Sequence, residues 1–167
     1  MVSKVVESAI NDQITAEFYA AYLYLAMAAY FDEANFPGFA NWMRLQHQEE
    51  TMHAMKLFDF MIDNGGHIEL GAVQQPPSSF DGPLPAMQAT LQHEQHVTKA
   101  INSLYELALK EKDYPAQVVL QWFIAEQTEE EKTAGDIIAQ LEMAGDAGAG
   151  LVMVDRELAT RTAGDDE

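Results

Sequence analysis

A chain of 167 residues and 18.6 kDa, 48% of them hydrophobic, has room for one domain with a sizeable core and none for a second. It contains no cysteine, which excludes disulfides, thiolate zinc sites and iron–sulfur clusters and leaves oxygen and imidazole as metal ligands. Twenty-seven acids against nine Lys and Arg give a net charge of −18, which excludes a nucleic-acid backbone as partner and favours cations. Acidity alone is equally the mark of a well-solvated surface, so position has to decide. Met1 to Glu7 carries an acid, Glu7, before any apolar run, unlike a signal peptide, and no stretch approaches the roughly 20 apolar residues that span a bilayer. The expectation is a soluble, cytoplasmic protein with no membrane partner.

Prolines and glycines cluster, and the clusters leave long uninterrupted segments that predict an all-α protein: four long helices and a short fifth. The first runs from about Val2 to Asp32 and ends before Asn35-Phe36-Pro37-Gly38. The second runs from about Phe39 to Asn64, where Gly65-Gly66 stops it. Residues 66–83, with Pro76-Pro77 and Gly82-Pro83, are too many for a tight helical hairpin. Helices of this size are about 40 to 45 Å long, and an extended connection of that length can cover most of the distance along the outside of a bundle. The third helix follows Pro85 and reaches about Lys112; the fourth follows Asp113-Tyr114-Pro115, with proline near its first turn, and ends near Gly145. Gly145 to Gly150 reads as a glycine-rich hinge before a short amphipathic piece, Leu151 to Leu158. Residues 162–167, with Gly164-Asp165-Asp166-Glu167 at the end, read as a frayed tail. One domain spans the chain, and there is no internal sequence repeat.

Steps of three and four residues trace one face of a helix. In the first helix they give Ile10, Ile14, Glu17, Ala21, Tyr24, Ala28 and Phe31. In the second they give Met43, His47, Glu50, Ala54, Leu57 and Met61, with His53 one turn on from Glu50 and on the same side. The third gives Met87, Leu91, Glu94, Thr98, Ile101 and Tyr105, and the fourth Val119, Phe123, Glu126, Glu130, Ala134, Ile137 and Leu141. Every long helix thus places a glutamate in its apolar row.

One ionised carboxylate buried without a partner costs several kcal/mol, and four together also repel one another. The rows contain no Arg or Lys, so cations come from outside or the acids are protonated. A pair of metal ions resolves the conflict, with bridging and terminal carboxylates neutralising them and His53 supplying a nitrogen. Glu50-x-x-His53 is half of the di-iron carboxylate pattern, in which two helices each give a Glu and two give Glu-x-x-His. A lone Glu-x-x-His is common by chance on helix surfaces; four co-facial glutamates beside it are not. The nine methionines read as core packing, Trp122 as a bundle-core residue near the site, and His47 as core or a support to it. His93 and His96 flank Glu94 on other faces and His67 sits in the crossover; none is assigned as a ligand.

Over nearly its whole length the chain resembles the bacterial non-haem ferritins. The most specific blocks are Leu120-Gln121-Trp122-Phe123 and Glu126-Gln127-Thr128-Glu129-Glu130-Glu131-Lys132, with Gln48-Glu49-Glu50-x-x-His53 and Glu94-Gln95. The resemblance implies a ferritin-like four-helix bundle with one long crossover and an iron-storage function with ferroxidase activity. Fe(II) would be oxidised by O2 or H2O2 and stored as ferric mineral inside a hollow homo-oligomeric shell of two dozen subunits. It makes Glu17, Glu50 and His53 the ligands of one iron, with Glu50 bridging to a second iron held by Glu94 and Glu130. Gln127 lies beside the pair, and Tyr24 hydrogen-bonds near it or donates an electron. Glu49, Glu126, Glu129 and Glu130 match a third iron position, and Leu151 to Leu158 the short helix at fourfold contacts. Related bacterioferritins carry a second Glu-x-x-His where this chain has Gln127 and Glu130, and a haem-binding methionine where it has Thr51. Met52 is one residue later, about 100° round the helix, so no haem is expected.

Three rival readings use the same residues. A di-metal oxidase or peroxidase could occupy the same bundle without storage, although a rubrerythrin-like form would add a cysteine-ligated segment and a second Glu-x-x-His. A non-catalytic acidic bundle would bind protein partners, at the cost of a core that leucines would fill better. A DNA-protecting miniature ferritin takes its ligands from the interface of two subunits, whereas Glu17, Glu50, His53, Glu94 and Glu130 converge within one chain.

Overall fold

The long helices begin where the chain can satisfy their first amides. In the computed structural model, which describes residues 2–145 and 148–163, they are α1 (Lys4–Glu33), α2 (Pro37–Asp63), α3 (Pro83–Glu111) and α4 (Tyr114–Ala144), followed by the short α5 (Gly148–Leu158). Ser3 caps α1 by accepting from the Val6 amide at 3.3 Å. Asp113 caps α4 through Oδ1, 3.2 Å from the Ala116 nitrogen, while its Oδ2 accepts from the Ser3 amide at 3.0 Å. One carboxylate thus ties the α3–α4 turn to the start of α1. Helices α2 and α3 start at Pro37 and Pro83, two and three residues before the sequence boundaries, because a proline in the first turn gives up an N–H that no helical carbonyl would accept.

The first amides of α2 are capped from far along the chain. Asp155 Oδ1, on α5, accepts from the nitrogens of Gly38 at 2.9 Å and Phe39 at 3.1 Å. A Cβ at position 38 would fall 1.6 Å from the Asp155 carbonyl oxygen, so this approach requires glycine. Helix α5 starts at Gly148, three residues before the expected Leu151, so half of the expected glycine hinge is helical. Residues 146–147 of that hinge and 164–167 of the expected tail lie outside the described residues.

Helices α1 and α2 form one hairpin and α3 and α4 another, α1 meets α3 between them, and α5 lies against α2 and α4. The crossover between the hairpins runs along α1, one helical turn at a time. Glu7 Oε2 accepts from the His67 amide at 3.0 Å; Asn11 donates to the His67 carbonyl at 2.9 Å and accepts from the Glu69 amide at 3.1 Å. Thr15 Oγ1 then accepts from Gly71 at 3.1 Å, and farther up Phe80 packs edge-on against Tyr30, ring centres 5.5 Å apart. These polar side chains recur every four residues on α1, matched to every second residue of an extended strap.

Two apolar clusters fill the bundle. One gathers Tyr24, Met27, Phe31, Phe39, Trp42, Met43, Met87, Ile137 and Leu141 with Val154 and Leu158 of α5. The other gathers Val6, Ile10, Ile14, Leu57, Met61, Ile101, Leu104, Leu120 and Phe123. Between them, at mid-height, every long helix contributes buried polar side chains. The methionine assignment needs correction: Met27, Met43, Met61 and Met87 are core, but Met52, Met55, Met143 and Met153 are exposed, each on the outward face of its helix. Met1 lies outside the described residues.

Candidate metal centre

The polar layer holds Glu17 from α1, Glu50 and His53 from α2, Glu94 from α3 and Glu130 from α4. Glu17, Glu50 and Glu94 are at most 2% exposed and Glu130 is 8% exposed, so the expectation of a buried acid on each long helix is met. Ligand atoms of Glu17, Glu50 and His53 lie within 4.8 Å of one another, and so do those of His53, Glu126 and Glu130. His53 is common to both groups. Its Nδ1 is 3.2 Å from Glu50 Oε2, and its Nε2 is 4.0 Å from Glu126 Oε1.

Glu17, Glu94 and Glu130 are each steadied by a neutral donor. Gln13 Nε2 donates to Glu17 Oε1 at 2.8 Å, while Glu17 Oε2 is buried with no hydrogen-bond partner among the described residues. The Tyr24 hydroxyl donates to Glu94 Oε1, and Gln127 Nε2 donates to Glu94 Oε2 at 3.0 Å and to the Glu94 carbonyl at 3.2 Å. Gln46 Nε2 donates to Glu130 Oε2 at 2.8 Å. Glutamine and tyrosine order the acids without supplying the charge that would neutralise them.

Burial pushes the Glu17 carboxyl up to about 7, with Glu94 repelling it further and polar contacts to Glu50 and Gln13 pulling the other way. Glu50 and Glu130 are held well above the usual carboxylate range, by burial first and then by repulsion from Glu94 and other neighbouring acids. Glu94 is raised by burial against the hydrogen bonds from Tyr24 and Gln127. His53 moves the opposite way, down to about 4, because burial disfavours the imidazolium and Lys56 adds repulsion. The imidazole is therefore neutral, the form that ligates metals. Tyr24 is held well above its ordinary value by burial and the surrounding acids, so its hydroxyl remains a donor.

Glu49, Glu126, Glu129 and Glu130 line one crevice with Thr133 and Arg161. On α4 the row differs from the sequence pattern. Gln127, not Glu126, lies on the inner face, and the Glu126 side chain is 24% exposed at the rim. Both choices satisfy steps of three and four between Phe123 and Glu130, so spacing could not separate them. Trp122 is also corrected. It is 37% exposed, its ring edge-on to His53 at 5.4 Å and under the Lys56 ammonium at 3.9 Å, so it covers the site from outside and is no part of the core.

His47 Nδ1 meets the Ala21 carbonyl at 2.8 Å, and His93 lies between the Tyr19 and Tyr24 rings, 6.0 Å from each. Sequence reasoning missed Gln13, Gln46 and Arg161. The glutamines were visible only as polar residues one position off the acid rows. Arg161, beyond the last helix, carried no periodic signal.

An oxygen-rich set with one neutral imidazole, buried between two apolar clusters, suits a divalent first-row metal. Fold and polar layer together define the class: a ferritin-like four-helix bundle with a carboxylate–histidine interior. Residues 7–144 match the family described as ferritin-like domain. The chain is 39% identical over 161 residues to the bacterial non-heme ferritin of Bacteroides fragilis, covering 96% of this chain and all of that protein. It is 40% identical to the bacterial non-heme ferritin of Staphylococcus haemolyticus over 162 residues, 97% of this chain and 98% of the relative. Among solved structures, the open pore ferritin of the archaeon Archaeoglobus fulgidus superposes with a TM-score of 0.96 at 49% identity, covering 97% of this chain and 100% of that one. The chain belongs to the ferritin family of iron-storage proteins.

Proposed function

We propose that the chain is a ferroxidase subunit: it takes up Fe(II), oxidises it at a paired site inside its own bundle, and releases Fe(III) for storage as mineral within a homo-oligomeric shell of about two dozen copies. One observation carries this reading. Buried carboxylates from four separate helices meet one neutral histidine in a layer whose own hydrogen-bond donors are uncharged.

In this reading Glu17, Glu50 and His53 hold one Fe(II), and Glu50 bridges to a second held by Glu94 and Glu130. Gln127 and Tyr24 keep Glu94 turned towards the pair. Raised carboxyl pKa values mean that iron enters as protons leave, so uptake releases acid. Two Fe(II) each give one electron to O2, which with two protons leaves as H2O2; with H2O2 as oxidant, two protons and two electrons yield two waters. Hard oxygen ligands favour the ferric product and supply part of the driving force. No helix among the described residues is long and apolar enough to cross a membrane, and we place the protein in the cytoplasm.

The test combines native mass with oxidation kinetics. A large hollow particle that oxidises Fe(II) rapidly, and a Glu50→Ala particle of the same mass that does not, are expected. A dimer binding two metals would instead favour the di-metal enzyme without storage. Unchanged oxidation by Glu50→Ala would remove Glu50 from the site.

A further inference from the structure

The crevice beside the paired site holds a cation of the protein's own. Arg161 Nη2 lies 2.9 Å from both Oε1 and Oε2 of Glu49, and its Nη1 donates to Gln46 Oε1 at 2.6 Å. The guanidinium faces the buried Trp42 ring at 5.3 Å, and the side chain is 13% exposed. Its main chain is pinned as well, because Asn41 Nδ2 donates to the carbonyls of Leu158 at 3.3 Å and Arg161 at 3.1 Å. Arg161 is therefore a placed residue and not the start of a frayed end.

Around it stand Glu49, Glu126, Glu129 and Glu130, the four carboxylates that line the crevice. Glu49 spends both oxygens on the guanidinium. A divalent cation drawing on Glu49 would sit within a few ångströms of the guanidinium charge, so the two compete for the carboxylate. Only the side chain need swing to release it, since Asn41 holds the backbone independently.

We infer that Arg161 is the resident counter-ion of this crevice, occupying the place of a third divalent cation until one displaces it. The inference rests on the paired-site reading above and adds competition to it: the third position fills late and weakly because an internal cation must first leave. Gln46 links the event inward, accepting from Arg161 and donating to Glu130 at 2.8 Å, so vacating the crevice alters the partner of an inner carboxylate.

Anaerobic calorimetric titration of the assembled, full-length protein with Co(II) tests this, with d–d absorption reporting ligation. The wild type should bind two Co(II) tightly per chain and a third weakly. Arg161→Gln should tighten the third by about tenfold or more, the usual scale for removing one adjacent charge. Arg161→Lys, which keeps the charge, should leave the third weak, and native mass and helix content show whether either variant has simply lost its fold. Three equally tight Co(II) in the wild type, or a third step unmoved by Arg161→Gln in a folded particle, would overturn the inference while leaving the paired site standing. No Co(II) bound by any of the proteins would overturn it together with the reading it rests on.

Discussion

Gln127 Nε2 lies 3.0 Å from Glu94 Oε2, so an amide on α4 fixes the direction of the carboxylate on α3. A glutamine cannot donate a proton to the reaction or carry charge, but it can hold Glu94 in one orientation against repulsion from its acidic neighbours. Gln127→Leu keeps a buried side chain of similar size and removes that support. Divalent-metal affinity is expected to fall about 10- to 100-fold, the range seen when an outer hydrogen bond to a ligand is lost. Metal-free stability should fall by about 1 to 3 kcal/mol, because Glu94 Oε2 is left buried without its amide donor. Unaltered Co(II) affinity in Gln127→Leu would show that Glu94 does not depend on it.

The Glu17 carboxyl makes metal-free stability depend on pH. Its folded value, about 7, lies above the ordinary 4.5, so the folded chain holds this proton more tightly than the unfolded one. Its contribution is fully present below 4.5 and is lost as pH rises through about 7. The melting temperature of the metal-free protein should therefore decline across that window, and Glu17→Gln should decline less. Saturating divalent metal should oppose the decline by stabilising the ionised form. A Glu17→Gln profile parallel to wild type throughout would contradict this.

Asp155 joins α5 to the start of α2, and Asp155→Ala would leave the Gly38 and Phe39 amides without their acceptor. The expected cost is about 1 to 2 kcal/mol, the range for losing a helix cap. Because Arg161 follows on the same segment, its contact with Glu49 should loosen too. Chemical denaturation measures the first effect and limited proteolysis after α5 the second; wild-type behaviour in both would show that α5 docks through its apolar residues alone.

The helices and the inner acids were legible because they obey local rules. Proline and glycine marked the breaks, and the row Ile10, Ile14, Glu17, Ala21, Tyr24, Ala28 and Phe31 is buried throughout. Glu17, Glu50, Glu94 and Glu130 followed from the same periodicity. What stayed hidden depends on contacts between distant segments: Asp155 capping α2, Glu7 and Asn11 holding the crossover, and Arg161 reaching Glu49. Adjacent positions were the other difficulty. Gln127 and Glu126 each fit a helical step, and only the rotation of α4 against α3 places the amide inside and the acid at the rim.

The central claim is that the buried layer holds two cations between carboxylates of all four long helices. Anomalous diffraction at the iron edge, from crystals soaked anaerobically in Fe(II), tests it most directly. The account requires one peak bounded by Glu17, Glu50 and His53 and a second bounded by Glu50, Glu94 and Glu130. Iron found only at the outer surface, with those side chains unmoved and metal-free, would contradict it.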